Sequence, residues 1–164
     1  MRPAPALFGL GLATLLAAPA LAGDSQHLLE RGRYLVAISG CNDCHTVGYP
    51  QSAGKVPESE WLTGNPVGFS GPWGTSYPAN LRLLAQSLTE SEWMKRARSE
   101  MLPPMPWFAL RDMNDADVRA LYRYIRSLGA KGQPAPAHVP PGQKVVTPYI
   151  EFVPKNLPQK AAAR

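Results

Sequence analysis

Residues 41–45 read Cys41-Asn42-Asp43-Cys44-His45. C-x-x-C-H is the pattern by which a haem is attached covalently. The two thiols add across the two vinyl groups and form thioethers. One helical turn puts Cys41 and Cys44 on the same face, and His45 can then offer its imidazole to the iron as the fifth ligand. Cys41 and Cys44 are the only 2 cysteines, so no disulfide or Cys-rich metal site competes for them. A thioredoxin-like redox pair would need a βαβ frame around the motif, and the flanking sequence offers none. A zinc site would need further ligands at matching spacing. His27 and His138 stand far from the motif and form no H-x₃₋₅-H pair.

The N-terminus predicts export. An apolar run from Ala6 to Ala18 follows Met1-Arg2, and Ala20-Leu21-Ala22 forms a small-x-small cleavage signature. The expectation is a signal peptide over 1–22, cut after Ala22, leaving no membrane span in the mature chain. The run is short of the ~20 residues that span a bilayer and ends at Pro19. The chain has 164 residues and a net charge of +5. Loss of Arg2 with the leader lowers that to +4. Two haem propionates take the charge to about +2, and a ferric centre adds one. So mild a basicity argues against nucleic-acid binding and suits steering toward an acidic protein partner.

Past the leader, helical period appears in three places. Leu28, Leu29, Leu35, Val36 and Ile38 predict a first helix over about Ser25–Ser39, interrupted by Gly32. Glycine there costs about 1 kcal/mol relative to Ala, which makes sense if another helix crosses closely. Thr89-Glu90-Ser91-Glu92 is a capping box with Leu88 and Trp93 placed as a hydrophobic staple, predicting a helix to about Met101. Asn114 with Asp117 at N3 starts a last helix. Val118, Leu121, Tyr122, Ile125 and Leu128 share its apolar face, and Gly129 ends it. Arg119, Arg123 and Arg126 fall on its other faces and read as a solvated surface.

Residues 46–88 are rich in Gly and Pro and read as a long loop. Such a loop is unusual in a compact domain unless it takes order from a cofactor, with Trp61, Phe69, Trp73 and Tyr77 as apolar lining. From Ala130 the composition shifts to a Pro-punctuated tail, too irregular for a second domain. Val145-Val146 and Tyr149-Ile150 give it apolar points that either lie along its own domain or dock to a partner. Gln159–Arg164 read as frayed.

A sixth ligand decides what the iron does, since an open position invites O₂ or peroxide chemistry and a filled one favours electron transfer. The candidates are Met94, Met101, Met105, Met113, His27 and His138. Met105 stands out in Leu102-Pro103-Pro104-Met105-Pro106-Trp107. Prolines on both sides fix φ and stiffen the loop, so a weak thioether ligand loses little ordering entropy on binding. Met94 and Met113 sit on or beside helices, where methionine most often fills a core. Met101 and the histidines stay open as alternatives.

On these residues the chain resembles the small single-haem cytochromes c. It is most similar to the bacterial periplasmic cytochrome c domains that accompany dehydrogenases. Gly32–Val36, Gly71–Leu81, Met105-Pro106-Trp107 and Asp115–Tyr124 carry the likeness beyond the haem motif. The resemblance implies an all-α domain of three to four helices around one covalent haem c, with long Gly/Pro-rich loops and an extended tail. That gives a leader over 1–22, a cytochrome c domain over 23–129 and a tail over 130–164. It implies Cys41 and Cys44 as thioether anchors, His45 and Met105 as iron ligands, and Trp73, Tyr77 and Asn80 near the haem edge or propionates. It implies that the first and last helices cross at Gly32. The expected function is periplasmic one-electron transfer with no catalysis of its own, in partnership with a dehydrogenase, an oxidase or another redox protein. Two forms are open: a soluble carrier, or the haem subunit of a periplasmic dehydrogenase. The single motif excludes a multi-haem relay within this chain.

Overall fold

The computed structural model describes residues 19–156, with side chains from Ser25 onward. The expected leader lies almost wholly outside these residues, as do Gln159–Arg164. Six helices follow in order: α1 (Pro19–Ile38), α2 (Cys41–His45), α3 (Leu81–Ser87), α4 (Glu90–Ala97), α5 (Trp107–Asp112) and α6 (Asp115–Ser127). A 3-10 turn at Glu58–Glu60 and three short strands complete the described fold: β1 (Gly68–Gly71), β2 (Gly74–Ser76) and β3 (Tyr149–Glu151).

The frame is the crossing of α1 over α6. At Gly32 the two backbones meet, and a Cβ placed there would lie 2.1 Å from Ala120 O and 2.6 Å from Tyr124 Cβ. The glycine predicted to mark a helix crossing does so. Leu35 and Val36 of α1 are buried with Val118, Leu121, Tyr122 and Ile125 of α6, as the 3.6-residue period requires. Ile38, expected on the same apolar set, is exposed, and Tyr124, absent from that set, is buried. Its hydroxyl donates to Glu58 Oε1 at 2.7 Å, which carries the ring across to the 3-10 turn.

The capping signals hold locally. Thr89 accepts from Glu92 N, and the Glu92 side chain accepts from Thr89 N at 2.8 Å, closing the capping box of α4. Asn114 accepts from Asp117 N at 2.8 Å at the start of α6. Gly129, at φ 72, follows the last turn of α6 in the left-handed conformation that glycine takes most readily. Helix α4 ends at Ala97, short of the expected Met101. There Arg98 turns its guanidinium to the carbonyls of Leu110 (2.5 Å) and Arg111 (3.0 Å) and pairs with Asp115. Helix α1 begins at Pro19, six residues before the expected start.

The loop of 46–88 is more ordered than its composition implies. Helix α3 forms there because Asn80 caps it, accepting from Leu83 N at 3.0 Å. The expected helical domain holds, and it also carries a small sheet of order β2-β1-β3. Strands β1 and β2 pair antiparallel around a tight turn at Pro72–Trp73, with Gly71 opposite Gly74. The tail supplies β3, parallel to β1, with Phe69 opposite Ile150. The tail thus lies along its own domain.

The arginines of α6 are exposed, as expected of a solvated face, and they also make local contacts. Arg119 and Arg123 both pair with Glu90, and Arg126 donates to Ala85 O at 3.1 Å and Tyr122 Oη at 2.8 Å. Arg31 of α1 pairs with Asp117 at 2.7 Å.

Candidate haem site

Gly40 takes φ 71 and turns the chain from α1 into the single turn of α2. That turn delivers the motif. Cys41 and Cys44 are half-buried, and Asn42 and His45 are buried. Asn42 fills the first variable position, and its Oδ1 accepts from Thr46 Oγ1 at 2.7 Å. The same hydroxyl accepts from Leu62 N at 2.8 Å, and His45 O accepts from Gly64 N at 2.8 Å. The motif is therefore stitched to residues 62–64 by backbone and side chain together.

His45 carries the chemistry. Its Nδ1 lies 2.7 Å from Ala79 O, a carbonyl that can only accept, so Nδ1 bears the proton. Burial holds the imidazole below its usual pKa, and the bond to Ala79 opposes that only in part. The neutral ring then keeps a lone pair on Nε2, which is the form that ligates a metal.

The thiols do not resemble a redox pair. Burial pushes Cys41 up to about 11 and raises Cys44 as well. Thioredoxin-like cysteines are activated by lowered values, which these lack. A zinc reading fails as well, because among the described residues no three His, Cys, Asp or Glu side chains could hold a metal ion together.

The methionines separate by packing. Met94 and Met113 pack against the helical core as fillers, while Met105 is half-buried outside that cluster. The Met105 loop is tied down on both sides. Met105 N donates to Leu102 O at 3.3 Å, Trp107 N donates to Met105 O at 2.8 Å, and Ser76 Oγ donates to Pro103 O at 2.5 Å. His27 is exposed on α1, and His138 donates from Nε2 to Trp73 O at 2.9 Å.

The residues expected at the haem edge all meet the tail. Trp73 stands edge-on to Phe152 with ring centroids 6.1 Å apart. Tyr77 Oη lies 2.5 Å from Thr147 Oγ1. Asn80 donates to Lys131 O at 2.7 Å and Gln133 O at 3.2 Å. Both amide hydrogens of Asn80 are thus engaged by backbone carbonyls. Trp73 keeps a buried Nε1–H with no hydrogen-bond partner among the described residues. Trp61, expected in the lining, is buried, edge-on to Tyr49 and donating to Val56 O at 2.9 Å.

Sequence reasoning missed Arg82. It is buried at 6% exposure, and its hydrogen-bond partners among the described residues are backbone carbonyls. It donates to Gly129 O at 2.7 Å and Ser59 O at 2.9 Å, and also to Leu128 O. Two of these are carbonyls at the end of α6, where a cation also meets the negative end of the helix dipole. Only the α3 cap, itself hidden in a loop, could have pointed to it.

A helical frame, a one-turn C-x-x-C-H helix and a buried histidine with a free Nε2 define a haem-attachment domain. The comparisons give it a family. The cytochrome c family model matches residues 29–129, and the chain belongs to that family. It carries covalently bound haem c, and Cys41, Cys44 and His45 are the residues that fit it. The chain is 30% identical to a nicotinate dehydrogenase subunit of Pseudomonas putida over 73% of its own length and 10% of that protein's. It is 27% identical to the fructose dehydrogenase cytochrome subunit of Gluconobacter japonicus over 65% of its length and 22% of that protein's. The chain therefore spans a tenth to about a fifth of the curated relatives it matches. No solved structure gives a significant match. Membership in this family supports electron transfer as the role. Among the described residues no helix is long and apolar enough to cross a membrane.

Proposed function

We propose that the chain passes single electrons in the periplasm through one haem c ligated by His45 and Met105, working with a dehydrogenase. When bound, haem c supplies one-electron exchange at its iron. The polypeptide does the rest. Cys41 and Cys44 anchor the group, and His45 offers Nε2 because Nδ1 is committed to Ala79 O. That commitment is the observation that carries the reading, since it fixes both the tautomer and the ring's direction. Met105 offers a neutral thioether, which favours the ferrous state and raises the potential. No proton moves and no ligand leaves, so the polypeptide's task is rigid support.

Two forms of the proposal differ in how the partner is held. The relatives are named as dehydrogenase subunits, which favours a haem subunit in stable complex with a catalytic chain. The tail bonded back to its own sheet favours a self-contained, diffusing carrier. Size-exclusion chromatography of native extract separates them: the carrier elutes alone, the subunit with a large partner.

Met105→Ala tests the ligation. Loss of the weak near-infrared sulfur-to-iron band is expected, and an unchanged band would move the assignment to another residue. Rapid CO binding by the ferrous wild-type protein at neutral pH would overturn the electron-transfer reading in favour of chemistry at an open iron.

A further inference from the structure

The family match ends at Gly129, yet the tail beyond it grips one strip of the site. That strip is residues 75–80, and its members face two ways. Thr75 N donates to Val139 O at 2.8 Å, and Val139 N donates back to Thr75 O at 3.0 Å. Tyr77 bonds to Thr147, and Asn80 bonds to Lys131 and Gln133. Between these tail contacts, Ser76 bonds to Pro103 in the Met105 loop, and Ala79 accepts from His45. One short segment thus touches the supports of both expected iron ligands on one side and the tail on the other.

The fit at this junction is close. Gly74 has φ 92, and a Cβ there would lie 2.2 Å from Val139 O. The tail continues along β1, where Gly68 N donates to Pro148 O at 2.9 Å and Phe152 N donates to Ser70 O at 2.7 Å. Phe152 then closes against Phe69 and Trp73. These contacts span both strands of the hairpin, so the tail holds the hairpin as a unit.

We propose that the tail is a strap that positions both axial-ligand supports, with Val139 and Thr147 as its positioning residues acting through Thr75 and Tyr77. An isolated two-stranded hairpin is marginal in water, and a third strand supplies the order it lacks. The strap gives that third strand, and the hairpin passes the restraint to Ser76–Pro103 and to Ala79–His45. The part that concerns iron rests on the Met105 ligation proposed above; the restraint itself does not.

Hydrogen exchange in the full-length haem-loaded protein tests it. Thr147→Val keeps the shape and removes the hydroxyl, and Val139→Pro removes the amide bonded to Thr75. The reporters are the Met105 backbone amide and the Nδ1 proton of His45. The expected result in each variant is at least tenfold faster exchange at both reporters, with the amides of α1 and α6 unchanged. Acceleration confined to Thr75 and the tail, with both reporters unchanged, would overturn the proposal. Met105→Ala leaves every strap contact in place, so failure of the ligand reading and failure of the strap give different results.

Discussion

His45 Nδ1 and Ala79 O lie 2.7 Å apart across 34 residues of chain. The bond joins the end of the haem motif to the residue before the α3 cap, and Asn80 next to it bonds to the tail. The imidazole is therefore oriented by a segment that composition marks only as loop.

The crossing of α1 and α6 leaves no room at position 32. Gly32→Ala should gain about 1 kcal/mol of helix propensity and lose more to the clash with Ala120 O, since overpacking costs about 1–3 kcal/mol and occasionally more. A net loss of up to about 2 kcal/mol is expected, read as a lower denaturant midpoint by far-UV circular dichroism. Equal or higher stability would mean that the helices are not in backbone contact.

Arg82 serves carbonyls from two segments, Ser59 and the end of α6. Arg82→Met keeps the bulk and leaves those acceptors without a donor, at an expected cost of about 2–4 kcal/mol in unfolding free energy. Arg82→Lys should recover only part of this, because one ammonium cannot reproduce the planar fork. Full recovery with lysine would show that charge alone matters there.

The α4 cap stands apart from the haem site and tests local stability alone. Thr89→Ala should cost about 1 kcal/mol. The sulfur-to-iron band of the folded protein should stay unchanged, while the thermal midpoint falls.

Acid should weaken the α1–α6 clasp. The hydrogen bond from Arg31 holds Asp117 below the usual carboxylate range, with burial opposing it and Asn114 helping. A depressed value in the folded state means that this contribution is complete above the ordinary Asp pKa of about 4 and lost as pH falls through the lower folded value. The Asp117→Asn variant should therefore show a shallower fall in stability below about pH 4 than the parent in denaturant titrations. Parallel curves would remove Asp117 from the acid response.

Met113 and Met105 should respond in opposite ways. Met113 packs on the core, so Met113→Leu should cost under about 1.5 kcal/mol and leave the near-infrared band intact. Loss of the band in this variant would make Met113 the ligand in place of Met105.

Much of this was legible in the residues. The C-x-x-C-H spacing, the Thr89 and Asn114 caps and the α6 apolar face are all local or strictly periodic signals. They survive folding because each depends on neighbours within a turn or two. Helices α3 and α5 escaped because they are short, at 7 and 6 residues, and stand among Gly and Pro, which mask a weak period. The sheet escaped for another reason. Its strands are 3 to 4 residues long, and one comes from the tail, so no local pattern marks it.

By itself the sequence determined the cofactor chemistry and the helical frame, because thiol spacing, capping and 3.6-residue periodicity are properties of adjacent residues. Only the tertiary structure decided how His45 is aimed, where Arg82 is used and what the tail does. Those outcomes rest on carbonyls and amides brought together from distant segments, and every residue but proline carries the same backbone groups, so side-chain identity does little to announce their pairing.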